Sequence, residues 1–317
     1  MSSPRVLILR FTAIGDCVMA AWPVTAIRNA EPNSHITWAV QPRCRPVIAA
    51  PSLVNETFLF DREGWKWRVW SAKRWREQLG FYFGLRKMRF DVGLDLQGHS
   101  KTALALWLAN PKQKWSVGGT DPLAKVWNPV ASLDGATHEV ERGMAVVRMW
   151  REDLTLPDLP IMPALNAERS RAKEMGPMIT IQTGAGGPGK AYPVDLWAKV
   201  AEGLQSSGCR LVTVGGPGDP AVPGTEAMNG KLTLNESLAF VAESKVHLAA
   251  DTGTGHAAAA FGVPVVSIFG PMKPERYRPW TKNGTVLHEG VNPASVPPEQ
   301  VVREALALLE KSRAFSH

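Results

Sequence analysis

The sequence predicts an α/β protein of two Rossmann-like domains, each a doubly wound parallel sheet, facing each other across a ligand cleft. Three observations predict it. Short runs that are apolar on both faces alternate with helix-length segments, as strands buried on both sides of a parallel sheet do. A length of 317 residues suits two domains of ~150 residues better than one core. Residues 156–165, with Pro157, Pro160 and Pro163, have linker composition. The domains are therefore placed at 1–160 and 161–317, with the site expected where loops leave the carboxyl ends of the strands.

The elements follow in order. In the first half, β-rich runs at 5–9, 36–40, 57–60, 91–96 and 115–117 read as strands. Helical segments lie at 17–30, 71–86, 101–108 and 139–152. In the second half the strands are at 178–182, 210–215, 246–250, 264–269 and 285–288. The helices are at 194–206, 234–243, 255–261 and 298–311.

Composition narrows the class. An apolar share of 44% and a charged share of 21% describe an ordinary soluble globular chain. Cys17, Cys44 and Cys209 are odd in number and widely spaced, which argues for a reducing, cytoplasmic compartment and against a disulfide framework or structural zinc. Arg5 and Arg10 bracket a short apolar run, so no signal peptide is expected. The run at 257–269 is short and broken by Gly262 and Pro264, so no membrane span is expected. Residues 1–160 carry +6 of the formal net charge of +7. A basic half points to an acidic partner: nucleic acid, an anionic membrane surface or a phosphorylated substrate.

Three loops carry chemistry. The first, Phe11-Thr12-Ala13-Ile14-Gly15-Asp16, follows the first strand. Its carboxylate is either a base for a hydroxyl nucleophile or a cap for the helix expected from residue 17. The second runs from Gln182 through four glycines to Lys190. Such a loop lets amides approach a phosphate and adds a point charge, or it is a plain surface loop. The third is Asp251-Thr252-Gly253-Thr254-Gly255-His256, before a run of alanines. Free amides and the positive end of a helix dipole there seat a diphosphate well. His256 is either a ligand to a phosphate or sugar oxygen or a packing residue. No dinucleotide fingerprint or Walker-type loop is present.

At these residues the chain resembles glycosyltransferase family 9, the ADP-heptose:lipopolysaccharide heptosyltransferases. The family's Ser-x-Gly-Asp loop is matched by Ala13-Ile14-Gly15-Asp16, and its Asp-Leu-Gln-Gly motif by Asp95-Leu96-Gln97-Gly98. Its Gly-Gly-Pro-Gly-Asp turn is matched at 215–219, and its Asp-Ser/Thr-Gly-x-x-His motif at 251–256. The run Gly-x-Pro-x-x-x-x-Phe-Gly-Pro is matched at 262–271. Ala13, Gly255 and Lys190-Ala191-Tyr192 depart from the family pattern.

The resemblance implies a GT-B fold, inversion at the anomeric carbon, no metal or other cofactor, and a nucleotide-sugar donor, ADP-heptose. Carried over by position, Asp16 is the general base. Lys190 and the backbone of Thr252 and Gly253 hold the diphosphate, Asp251 contacts the sugar, His256 supports the loop, and Asp219 lies near the nucleoside. The first domain would bind the acceptor and the second the donor. The rivals are an epimerase-like enzyme of the same architecture and a non-catalytic binding protein.

Residues 62–89 hold nine Lys/Arg against Glu63 and Glu77, interleaved with Trp65, Trp67, Trp70, Trp75, Phe81, Tyr82 and Phe83. Arginine suits bidentate phosphate contacts, and tryptophan suits a headgroup boundary. A docking surface for a phosphorylated glycolipid, peripheral at the inner face of the inner membrane, is expected here. No RNA-binding motif accompanies the segment, and nucleic acid is not expected as a partner.

Overall fold

The computed structural model describes residues 3–61, 71–119, 121–187 and 189–314, with backbone alone at 122 and 123. The chain divides into two compact units, Met1–Pro163 and Ala164–His317.

In the first unit the order is β1 (Arg5–Leu9), α1 (Ile14–Ala30), β2 (His35–Val40), β3 (Glu56–Leu59), α2 (Ala72–Lys87), β4 (Val92–Asp95), α3 (Ser100–Ala109), β5 (Gln113–Ser116), α4 (Pro122–Trp127) and α5 (Glu139–Arg148). The sheet runs β3-β2-β1-β4-β5, with every pairing parallel. Val6, Leu7, Ile8 and Leu9 are fully buried, because helices cover both faces of the central strand. α1 packs with α5, and α2 with α3 and α3 with α4. Fully burying a side chain such as Leu7 stabilises the fold by ~1.5–3 kcal/mol. Edge strand β3 is half exposed instead.

The second unit repeats the plan: α6 (Asn166–Glu174), β6 (Met178–Gln182), α7 (Val194–Leu204), β7 (Arg210–Val214), β8 (Glu226–Ala227), α8 (Leu234–Glu243), β9 (Val246–Ala250), α9 (Gly253–Ala260), β10 (Val265–Ile268), α10 (Pro274–Tyr277), β11 (Gly284–Leu287) and α11 (Pro298–Ala314). Its sheet runs β11-β10-β9-β6-β7-β8, again parallel. Trp197, Val200 and Leu204 of α7 join Leu308 and Leu309 of α11 in one core. Phe240, Val241 and Ala258 build the core on α8 and α9. Three short or polar helices (α4, α6, α10) and β8 lack the apolar pattern that marks the rest. β8 is two residues long and half exposed.

Two helix starts differ from expectation, and both matter to the site. α1 begins at Ile14, so Asp16 is not the N-cap; Ala13 is. The Asp16 carboxylate nevertheless accepts a hydrogen bond from the Ala13 amide at 2.9 Å, reaching back from the first turn, where a negative charge suits the dipole. α9 begins at Gly253, two residues earlier than expected, with Thr252 as its N-cap. The proline-rich segment after residue 156 is tied to the first unit. Trp22 Nε1 donates to the Asp158 carbonyl at 3.4 Å, and the Ile161 amide to Thr25 Oγ1 at 2.8 Å.

Candidate active site

Each sheet has one place where neighbouring strands send their crossovers in opposite directions, leaving an open crevice at the strand ends. In the first sheet it lies between β1 and β4, and in the second between β6 and β9. The three loops that the sequence reads as carrying chemistry sit at these two places.

At the β1/β4 crevice the chain is fixed before it reaches Asp16. The Phe11 ring stacks on Phe60 at 4.3 Å and meets Phe81 edge-on at 6.0 Å. The Phe11 amide donates to Gln97 Oε1 at 2.7 Å. Gln97 belongs to the Asp-Leu-Gln-Gly turn, which hangs from Asp95. That carboxylate is fully buried and accepts from the Gln97 and Gly98 amides at 2.9 Å each and from Ser116 Oγ at 3.0 Å. Gly98 takes a positive φ of 68°, and a Cβ there would lie 2.8 Å from the Gly119 amide nitrogen. Glycine is therefore required.

Asp16 then meets Arg10. Arg10 Nη2 lies 2.8 Å from Asp16 Oδ1, and Arg10 Nη1 lies 3.3 Å from Glu139 Oε2 at the start of α5. The same nitrogen donates to the Leu96 carbonyl. Burial works against the Arg10 charge, but Asp16 and Glu139 outweigh it and hold the guanidinium above its ordinary value. The Asp16 side chain is 28% exposed against 8% for Arg10. So the Asp16 carboxyl group has one edge held by Arg10 and some of its surface open to solvent. Arg10 and Glu139 were missed by the sequence reading. Glu139 is 129 residues from Arg10 and nothing local marks it; Arg10, a charge ending an apolar strand, was a usable signal.

At the β6/β9 crevice Lys190 Nζ lies 2.7 Å from Asp251 Oδ2. The ion pair bridges the glycine-rich loop after β6 and the loop after β9. Thr252 does not cap α9 with its side chain; its hydroxyl instead meets that of Thr254 at 3.1 Å. The first amides of α9, from Gly253 onward, are thus left without a side-chain cap, and residues 251–254 are partly exposed. With the Lys190 ammonium at the neighbouring loop, this arrangement could hold an anion. His256 is buried within α9.

Asp219 accepts from the Gly216 amide at 2.7 Å and from Gln182 Nε2 at 3.1 Å. Its carboxylate fills the space over Gly184, where a Cβ would lie 2.2 Å from Oδ2. Its observed work is to brace the glycine-rich loop.

Of the basic aromatic segment, Trp65, Trp67, Trp70 and the three cations Arg62, Lys66 and Arg68 lie outside the described residues, since 62–70 is not described. On α2 only Phe81 and Leu85 are buried. Phe81 belongs to the aromatic core with Phe58 and Phe60. Trp75, Leu79 and Phe83, spaced four apart and so on one helix face, are 54%, 52% and 60% exposed. Arg74 stacks over Trp75 at 5.6 Å.

Among the described residues no cluster of three or more His, Cys, Asp or Glu has metal-ligand geometry. No helix there is long and apolar enough to cross a membrane. The three cysteines are free thiols.

Two Rossmann-like units in one chain, each with polar loops gathered at its switch point, define a GT-B type protein. The sequence model of glycosyltransferase family 9 (heptosyltransferase) matches residues 81–301, and the chain belongs to that family of glycosyltransferases. It is 26% identical over 286 residues to lipopolysaccharide heptosyltransferase 1 of Pseudomonas aeruginosa, spanning 85% of this chain and 79% of that one. Lipopolysaccharide heptosyltransferase 2 of Escherichia coli is 24% identical and spans 98% and 100%. Among solved structures, the E. coli heptosyltransferase WaaC with ADP shares the fold at a TM-score of 0.81 and 21% identity, covering 97% of this chain and 99% of that one.

The buried Asp95 gives a pH test. Burial raises its pKa, while the Gly98 and Gln97 amides and the Thr102 and Ser116 hydroxyls pull it down. Between the ordinary carboxylate value and the raised one, the folded protein keeps a proton that the unfolded chain has released. Stability therefore falls as pH rises through that window. Asp95→Asn keeps an oxygen for the two amides and removes the titration. Urea unfolding from pH 4 to pH 7 should show a shallower fall for the variant than for wild type; parallel curves would mean that Asp95 is not the titrating group.

Proposed function

We propose that this enzyme transfers heptose from ADP-heptose, with inversion at the anomeric carbon, to a hydroxyl of a phosphorylated lipopolysaccharide-core acceptor. The observation that carries the reading is the placement of Asp16 at the β1/β4 crevice, its carboxylate fixed by Arg10 and the Ala13 amide with solvent access left. The names of the related proteins support the sugar and the acceptor.

In this reading Asp16 accepts the acceptor's hydroxyl proton as that oxygen bonds to the anomeric carbon. The bond from that carbon to the diphosphate oxygen breaks on the opposite face, and the nucleoside diphosphate leaves with its electron pair. Lys190 and the Thr252–Gly253 amides hold the diphosphate and offset its growing charge without a metal ion. Lys190 exchanges Asp251 for phosphate oxygens, which frees Asp251 to accept from sugar hydroxyls. His256 keeps α9 packed under the seat, and Asp219 holds the loop beside the nucleoside. The first unit takes the acceptor and the second the donor.

The acceptor side includes a membrane contact. The exposed Trp75, Leu79 and Phe83, with Lys73, Arg74, Arg76, Arg86 and Lys87 on the same helix, suit the headgroup layer of an anionic leaflet. This makes the enzyme a cytoplasmic protein peripheral to the inner face of the inner membrane. Nucleic acid is not a partner in this reading.

Two measurements test it. Asp16→Asn should reduce heptose transfer by ~10²-fold or more with unchanged ADP affinity. Stability should fall by ~1–3 kcal/mol, since Arg10 keeps Glu139. Near-normal turnover by this variant would remove Asp16 as the base. For the membrane face, a Trp75→Ser, Leu79→Ser, Phe83→Ser variant should lose binding to anionic vesicles and keep transfer to a soluble, delipidated acceptor. Equal vesicle binding by variant and wild type would show that this face does not dock.

A further inference from the structure

His247 is the second residue of β9, between Val246 and Leu248, and is fully buried. Nothing in the proposed chemistry uses it. A buried imidazole inside an otherwise apolar strand is costly unless both ring nitrogens are bonded, and both are. Nδ1 lies 2.8 Å from Thr180 Oγ1 on β6, its neighbour in the parallel register. Nε2 lies 3.0 Å from Thr254 Oγ1 in the first turn of α9. From Thr254 the contact continues 3.1 Å to Thr252 Oγ1, at the mouth of the anion seat. A single file of polar groups thus runs from the sheet interior to the helix start. Burial pushes the His247 pKa down to about 3, so the ring is neutral wherever the enzyme works and offers one donor and one acceptor.

The file has two directions. If Nδ1–H donates to Thr180, Nε2 accepts from Thr254, Thr254 accepts from Thr252, and the Thr252 proton is used up inside the protein. If Thr180 donates to Nδ1, Nε2–H donates to Thr254 and Thr254 donates to Thr252. The Thr252 proton is then left for whatever stands in front of α9. An anion there favours the second direction, because it needs a donor and repels a lone pair.

We propose that His247 is a positioning residue for the donor diphosphate, acting as the Nε2–H tautomer through Thr254 to aim the Thr252 hydroxyl at a phosphate oxygen. This rests on the diphosphate seat assigned above. It explains why Thr252 leaves the α9 amides without a side-chain cap: its hydroxyl is drawn sideways by Thr254. His247 does not touch the substrate and carries no proton in the reaction.

The test is calorimetric titration of ADP into the full-length protein and its variants, with melting temperatures alongside. His247→Leu should weaken ADP binding roughly tenfold, the scale of one charge-assisted hydrogen bond. His247→Gln, whose amide can donate at the Nε2 position, should recover most of that loss. Thr254→Val cuts the file without altering the strand and should weaken binding to the same degree, which keeps the test valid if His247→Leu folds poorly. Because all act through one hydroxyl, adding Thr254→Val to Thr252→Val should cost nothing further. In steady state the loss should fall on donor KM more than on kcat. A wild-type protein that does not bind ADP would sink the seat and this proposal together. Wild-type binding with unchanged affinity in both Thr254→Val and His247→Leu, or a fully additive double variant, would sink this proposal alone. A lower melting temperature with intact affinity would mark His247 as structural only.

Discussion

The fold depends on one constraint: a parallel sheet covered on both faces must change its winding direction somewhere, and at that point the loops part. Both sheets here change direction beside their first strand, at β1/β4 and at β6/β9. At these two places the chain has room for polar groups and glycines, and there it puts Asp16, Gln97, Lys190, Asp251 and Thr252. The buried strands on either side are rigid, so residues one step beyond them inherit fixed positions. That is why short loops with modest motifs can hold chemistry at all.

The two crevices handle charge in contrasting ways. At β1/β4 the cation is the buried partner: Arg10 sits beneath Asp16 and Glu139 and is bonded to the Leu96 carbonyl. Taking one carboxylate away leaves the other beside the guanidinium, which matters because an unpaired buried guanidinium would cost several kcal/mol. At β6/β9 the pair Lys190–Asp251 has no third charged member among the described residues, and its two loops come from different strands. In the proposed reading an incoming diphosphate competes there for the ammonium on favourable terms, since phosphate oxygens and the α9 dipole act together.

Much of this was legible in the sequence, because the buried strands are long apolar runs and the helices between them have ordinary length. The strands from Arg5, Met178 and Val246 start and stop where the apolar runs do. β8 escaped because Glu226–Ala227 is an edge pair with nothing to bury. α6 escaped because Ala172 alone is buried on it. The starts of α1 and α9 were placed too late because Gly15 and Gly253-Thr254 are poor helix formers; the local bond from the Ala13 amide to Asp16 and the contact of Thr254 with His247 outweigh that preference. Candidate residues with a motif around them could be named. Their partners could not: Glu139 reaches Arg10 across 129 residues, and Thr180 reaches His247 across 67. Two signals were there to be read: Arg10, a charge ending an apolar strand, and His247, a polar ring inside one.

The central claim is that the β6/β9 crevice seats the donor's diphosphate. The most direct measurement is a crystal structure of this protein with ADP bound. The account predicts phosphate oxygens within hydrogen-bonding distance of the Thr252 and Gly253 amides and of Lys190 Nζ, with Lys190 drawn away from Asp251. A diphosphate found elsewhere, with the 2.7 Å Lys190–Asp251 pair intact, would contradict it.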